Sequence, residues 1–211
     1  MESFGCKNYH QKYNAYFWAK QTNNVTEQMY RLLIEQIKKK YPAAGINYGY
    51  LETCGDSSAV NCIIAIDNDP IITCPGGYLP QSDCMLAMYH NDPNNFPRFK
   101  KLGYSPYNIQ NNRVFATYPD AVKMVFGKHC ELFYYQKWQD IIDFVKYGKS
   151  VQLCLKNPGH YIAVIGATKD KELKLDCIDS WPERTGSHLF QLTEKEYNEN
   201  TFETCAVYYE K

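Results

Sequence analysis

The chain has 211 residues, enough to bury one sizeable core, and a single domain over 1–211 is expected. Its 23 Lys and Arg balance 23 Asp and Glu, so no net field favours nucleic acid or an anionic membrane surface, and neither is expected as a partner. The opening stretch MESFGCKNYHQKYNAYFWAK lacks a basic segment leading into an apolar one, and no run approaches the ~18 apolar residues of a membrane span. Synthesis in the cytosol without a signal peptide is the expectation.

In chain order, Asn24 with Glu27 three residues later fits a helix N-cap and its acidic partner, while Val25, Met29, Leu32, Leu33 and Ile37 mark one face. Lys38, Lys39 and Lys40 suit the C-terminal end of the dipole and Pro42 stops the run, so a helix is predicted over 25–40. Its basic end reads as a solvated terminus. A second helix is predicted to begin near Cys54, because SSAVNCIIAI is small and apolar with no breaker before DNDP. From 67 to 118 the chain is punctuated by Pro70, Pro75, Gly76, Gly77, Pro80, Pro93, Pro97, Gly103 and Pro106. That pattern predicts a loop-rich insertion, the kind that builds binding walls or lids.

YPDAVKMVFG predicts a helix over 118–127 that stops at Gly127. WQDIIDFVKYGK predicts another, with Trp138, Ile141, Ile142 and Val145 on one face and Gly148 ending it. SVQLCL, HYIAVIGAT, ELKLDCID and TCAVYYE then read as four short strands divided by Pro, Gly and charged turns. The class is α+β, with N-terminal helices packed on a C-terminal antiparallel sheet.

Nine cysteines are scattered singly and none forms a C-x-x-C pair, so neither a metal site nor a thioredoxin-type motif is signalled. Cys154 and Cys177 lie inside apolar runs, where a thiol packs as a small hydrophobe. Cys54 differs. It stands where a loop becomes a helix, and unpaired N–H groups at a helix start favour a thiolate; the plainer alternative is a small residue opening a helix. A thiolate nucleophile also needs a base held by a third group. His160 heads an extended run after the Pro158-Gly159 turn, where its ring can project from a strand end, although a histidine on an apolar strand also serves as a core residue. In LKLDCID, alternation places Leu173, Leu175, Cys177 and Asp179 on one face, and Asp176 on the opposite, wetter face. Asp179 is then a carboxylate ending an apolar row, either the partner of an imidazole N–H or a cap for the following Ser180-Trp181-Pro182 turn.

Cysteine at a helix start followed by histidine and aspartate on successive late strands is the order of papain-like cysteine peptidases. TCGDSSAVNCI and GKSVQLCLKNPGHYIAVIGATKDKELKLDCIDSWP resemble the nucleophile and base segments of the family related to the double-glycine leader peptidases of bacteriocin exporters. The resemblance runs from about 47 to 182, and the insert GGYLPQSDCMLAMYHNDPNNFPRF is similar to that of some free-standing members, many of which look like phage-associated lysins. It implies a papain-like fold, Cys54 as nucleophile, His160 as general base and acid, and Asp179 as the group that orients the ring. No cofactor or metal is implied.

Two positions depart from the family pattern. Asp56 stands two places after the cysteine, where an uncharged residue is usual, and an anion close to a thiolate raises its pKa. Tyr48 occupies the place of the usual oxyanion-hole glutamine, so the neighbouring Asn47, or Gln21 further upstream, is expected to donate beside the Cys54 N–H. The function expected is hydrolysis of a peptide or amide bond through a thioester, with peptidoglycan as the substrate and release to the cell wall through a separate pore. The alternatives are leader-peptide or protein processing, acyl transfer to an amine, and a retired peptide-binding module.

Overall fold

A run such as IAVIGA offers no polar face to water, so a strand built from it must be covered on both sides. The computed structural model describes residues 1–14, 17–19, 54–67, 128–157, 159–181 and 188–210, and of Asp56 the backbone alone. In chain order the elements are β1 (Glu2–Gly5), a 3-10 helix (Tyr9–Tyr13), α1 (Cys54–Ile66), β2 (His129–Tyr134), α2 (Trp138–Lys146), β3 (Ser150–Leu155), β4 (His160–Lys169), β5 (Leu173–Ile178), β6 (Leu189–Thr193), α3 (Glu194–Asn200) and β7 (Thr201–Tyr209). Helices and an antiparallel sheet make the chain α+β, with the strands ordered β2-β7-β3-β4-β5-β6. The long strand β4 serves three neighbours. β5 runs along one edge, while β3 and then β1 share the other. The sheet is therefore not wholly C-terminal, as the sequence had suggested, because its β1 comes from residues 2–5.

Helices cover both faces. On one side, α1 packs with Ala163 and Ile165 of β4, Cys154 of β3, and Ala206 and Tyr208 of β7. Residues 57–66 of α1 are buried all round, which is what a helix without a polar face requires. Ile63 and Ile64 alone each contribute about 1.5–3 kcal/mol by leaving water. On the other side, Val151, Leu153 and Leu155 of β3 and Ile162 and Val164 of β4 meet Trp138, Ile141, Ile142 and Val145 of α2 and Tyr197 of α3. Period-2 alternation thus sends the two halves of each apolar strand into two different cores.

The ends of α2 and α3 follow from their sequences. Gly148 takes φ 76°, and the Gly148 and Lys149 N–H groups donate to Val145 O at 3.1 Å and Phe144 O at 3.0 Å, the paired bonds of a Schellman ending. In α3, Thr193 and Glu196 exchange bonds as a capping box, Glu196 N to Thr193 Oγ1 at 3.2 Å and Thr193 N to Glu196 Oε2 at 2.8 Å. No described helix is long and apolar enough to cross a membrane. The helices expected over 25–40 and 118–127, and the insertion over 67–118 apart from Asp67, lie outside the described residues.

The expectation for Asp176 is corrected. It faces away from Leu175 and Cys177, but that side is dry and the residue is fully buried, 0% exposed. The N-terminal segment covers it. Gly5 of β1 lies opposite Gly166 of β4, and a Cβ on either would come 2.5 Å from the Tyr9 ring, so two missing side chains make room for that ring. The Tyr9 hydroxyl donates to Asp176, Thr168 Oγ1 donates to Oδ2 at 2.6 Å, Gln191 Nε2 donates to Oδ1 at 2.6 Å, and Lys12 Nζ stands 3.2 Å away. Alternation alone could not foresee a cover that comes from the far end of the chain.

Candidate active site

Two element starts meet at one end of the sheet. α1 opens at Cys54, which is half-buried, and β4 opens at His160, which is buried at 3% exposure. The β3–β4 hairpin closes on the Leu155–His160 pair, leaving the imidazole at the rim. Asp179 lies one residue beyond β5, held by its own N–H to His188 O at 2.7 Å. Cys54, His160 and Asp179, far apart in sequence, are thereby brought together.

His160 Nε2 lies 2.7 Å from Asp179 Oδ1, and the same oxygen accepts the Trp181 N–H at 2.8 Å. With Nε2 committed to the carboxylate, Nδ1 is the nitrogen left for the Cys54 side chain, which hydrogen-bonds to the ring. Burial opposes charge on the imidazole, but the bonds to Asp179 and Cys54 and their negative charges outweigh it and lift His160 to about 9. The ring is therefore charged at neutral pH. Trp181 stands against it in an edge arrangement, with ring centres 6.2 Å apart.

The other described cysteines contrast with Cys54. Cys6, Cys62, Cys130, Cys154, Cys177 and Cys205 are all buried and free. Burial pushes Cys154 up to about 11, Cys6, Cys130 and Cys205 to about 12, and Cys62 and Cys177 well above the ordinary thiol value. These six stay protonated and inert. Cys54 alone among the described cysteines combines partial exposure, a helix start and a hydrogen bond to the imidazole, which places it as the nucleophile of the group.

Sequence reasoning missed the polar support beneath the nucleophile helix. Gln152, at the centre of β3 and 0% exposed, donates from Nε2 to Gly55 O at 2.8 Å and to Ser58 Oγ at 2.6 Å, while its Oε1 accepts the Tyr208 hydroxyl at 2.9 Å. The one signal available was a glutamine inside an otherwise apolar strand. Further along α1, Asn61 pairs with both backbone groups of Ala19, at 2.7 and 3.1 Å. Asn47, Gln21, Tyr48 and the Asp56 side chain lie outside the described residues. Among the described residues no group of three or more His, Cys, Asp or Glu is placed to hold a metal ion.

No family model matches the chain, nor does any curated protein.

Proposed function

We propose that the protein is a papain-like cysteine peptidase, a hydrolase that cleaves a peptide or amide bond with Cys54, His160 and Asp179. The observation that carries this reading is the buried 2.7 Å His160–Asp179 contact with the ring's other side turned to a half-exposed cysteine at a helix start. The reactive form of the site carries the Cys54 proton on His160, as a thiolate beside an imidazolium. The sulfur attacks the carbonyl carbon, and the oxyanion is met by the Cys54 N–H and an amide donor, Asn47 or Gln21. Collapse breaks the C–N bond as His160 gives its proton to the departing amine, leaving a thioester and neutral imidazole. Water then attacks, His160 takes back a proton, and breakage of the C–S bond releases the acid and restores the ion pair. Asp179 holds the ring in the tautomer that both steps need.

Peptidoglycan is the proposed substrate, supported by the resemblance of the Gly-His-Tyr and Asp-Ser-Trp-Pro segments, and of the Gly-Pro-rich insert, to free-standing lysin-like members. The test is incubation with purified peptidoglycan and with a peptide library, reading new termini by mass spectrometry beside a Cys54→Ala control. New termini from peptidoglycan that vanish in the control support the reading; cleavage that persists in the control defeats it. Tyr48 and Asp56 favour a second reading, a retired peptide-binding module, which predicts binding to the same material without new termini.

A further inference from the structure

We propose that Gln152 is a positioning residue that sets the place of the Cys54 sulfur relative to His160; this rests on reading those two as nucleophile and base. A glutamine is a costly occupant for the middle of an apolar strand, since a buried amide left unpaired costs about 1–3 kcal/mol, and an aliphatic side chain would seal the core as well. Its neighbours are shaped for it. Gln152 pairs with Ala163 of β4 on one side and Ala206 of β7 on the other, two small residues that leave room for an amide beneath α1. Every polar atom of that amide is engaged, two donors upward to the helix and one acceptor sideways to Tyr208.

The contacts fall on the first turn of α1. Gly55 O, one residue from the nucleophile, receives both Gln152 Nε2 at 2.8 Å and Ser58 Oγ at 2.9 Å. Ala, Val and Ile contacts along the rest of α1 are non-directional and tolerate sliding, and the other directional ties of the helix, Asn61 to Ala19 and Asn8 to Ile64 O, lie further from the nucleophile; hydrogen bonds next to Cys54 do not tolerate it. From Gln152 the path to the base is short and stiff, because Gln152 to Leu155 pair residue by residue with Ala163 to His160. Gln152 thus ties the sulfur's helix to the strand that carries the imidazole. A displacement of the order of 1 Å between such groups costs about a hundredfold in rate.

The test is the pH profile of Cys54 alkylation by iodoacetamide in the full chain, read by mass spectrometry of the Cys54 peptide, with thermal melts alongside. The wild-type profile should hold a plateau through neutral pH, where thiolate and imidazolium coexist, and rise again as His160 deprotonates near 9. In folded Gln152→Met the neutral plateau should fall by about a hundredfold while the alkaline rate, which needs no imidazolium, is retained. Local unfolding would instead raise the rate everywhere. If Gln152→Met fails to fold, Ser58→Ala removes one hydroxyl of the same network and should lower the plateau by about tenfold. A plateau unchanged in whichever of the two variants folds overturns the positioning role. A wild-type profile with no plateau overturns the nucleophile and base assignment itself.

Discussion

Two buried carboxylates stand three residues apart in sequence, Asp176 inside β5 and Asp179 just past its end, and they are built for opposite purposes. Asp176 is saturated. Burial works against its charge, but bonds from Thr168, Tyr9 and Gln191 and the Lys12 ammonium outweigh that and hold the carboxyl below its ordinary value. Lys12 in turn is raised: burial opposes its charge, and the Tyr9 hydroxyl and Asp176 more than compensate. No proton moves near neutral pH, and the group latches the N-terminal segment to β4, β5 and β6. Among the described residues Asp179 has one side-chain partner, an imidazole that titrates near 9 and whose other nitrogen is turned to a thiol. A carboxylate becomes chemically useful when its partner is titratable and has a second, open side; full satisfaction makes it an anchor.

The largest expected effect is on the second carboxylate's partner. His160→Ala should leave a folded protein whose turnover of the substrate cleaved by wild type drops by at least about a thousandfold; unchanged kcat in a variant with an intact melt would break the distinction. Asp179→Asn should cost roughly two orders of magnitude less than that, since an amide still orients the ring but cannot balance its charge. Asp176→Asn should reverse the pattern. It leaves Lys12 buried without its counter-charge, so stability should fall by about 3 kcal/mol, a Tm drop of roughly 6–12 °C, while folded molecules keep their kcat. Loss of kcat without loss of Tm would mean that the two roles are exchanged.

A smaller effect should separate the carboxylates by pH. Because the folded-state His160 value, about 9, lies above the ordinary 6.5, the His160–Asp179 pair stabilises the fold fully below 6.5 and loses that contribution as pH rises through about 9. The difference in denaturant midpoint between wild type and Asp179→Asn should therefore shrink across that window. The Asp176 contribution has the opposite sign, persisting across neutral pH and fading as acid protonates the carboxyl.

Much of this was legible in the sequence where the signal is local. Trp138, Ile141, Ile142 and Val145 announced α2, Gly148 its end, and the apolar runs of β3, β4, β5 and β7 their strands. β1 and β6 were not, since four or five residues hold too little alternation, and α3 went unread although Thr193 and Glu196 spell its capping box. The Cys54, His160 and Asp179 constellation was readable because each stands at an element end. Asp176 was misjudged because its cover, Tyr9 and Lys12, arrives from more than 160 residues away in sequence, and the Gln152 support was hidden because its partners Gly55, Ser58 and Tyr208 lie 97, 94 and 56 residues away.

The most direct test of the central claim, that His160 and Asp179 activate Cys54, is a brief iodoacetamide reaction at neutral pH with every cysteine peptide quantified. Cys54 should be labelled first in wild type, and that lead should collapse in His160→Ala. If Cys62 or Cys177 is labelled first, or if the Cys54 lead survives loss of the imidazole, the assignment of nucleophile and base is contradicted.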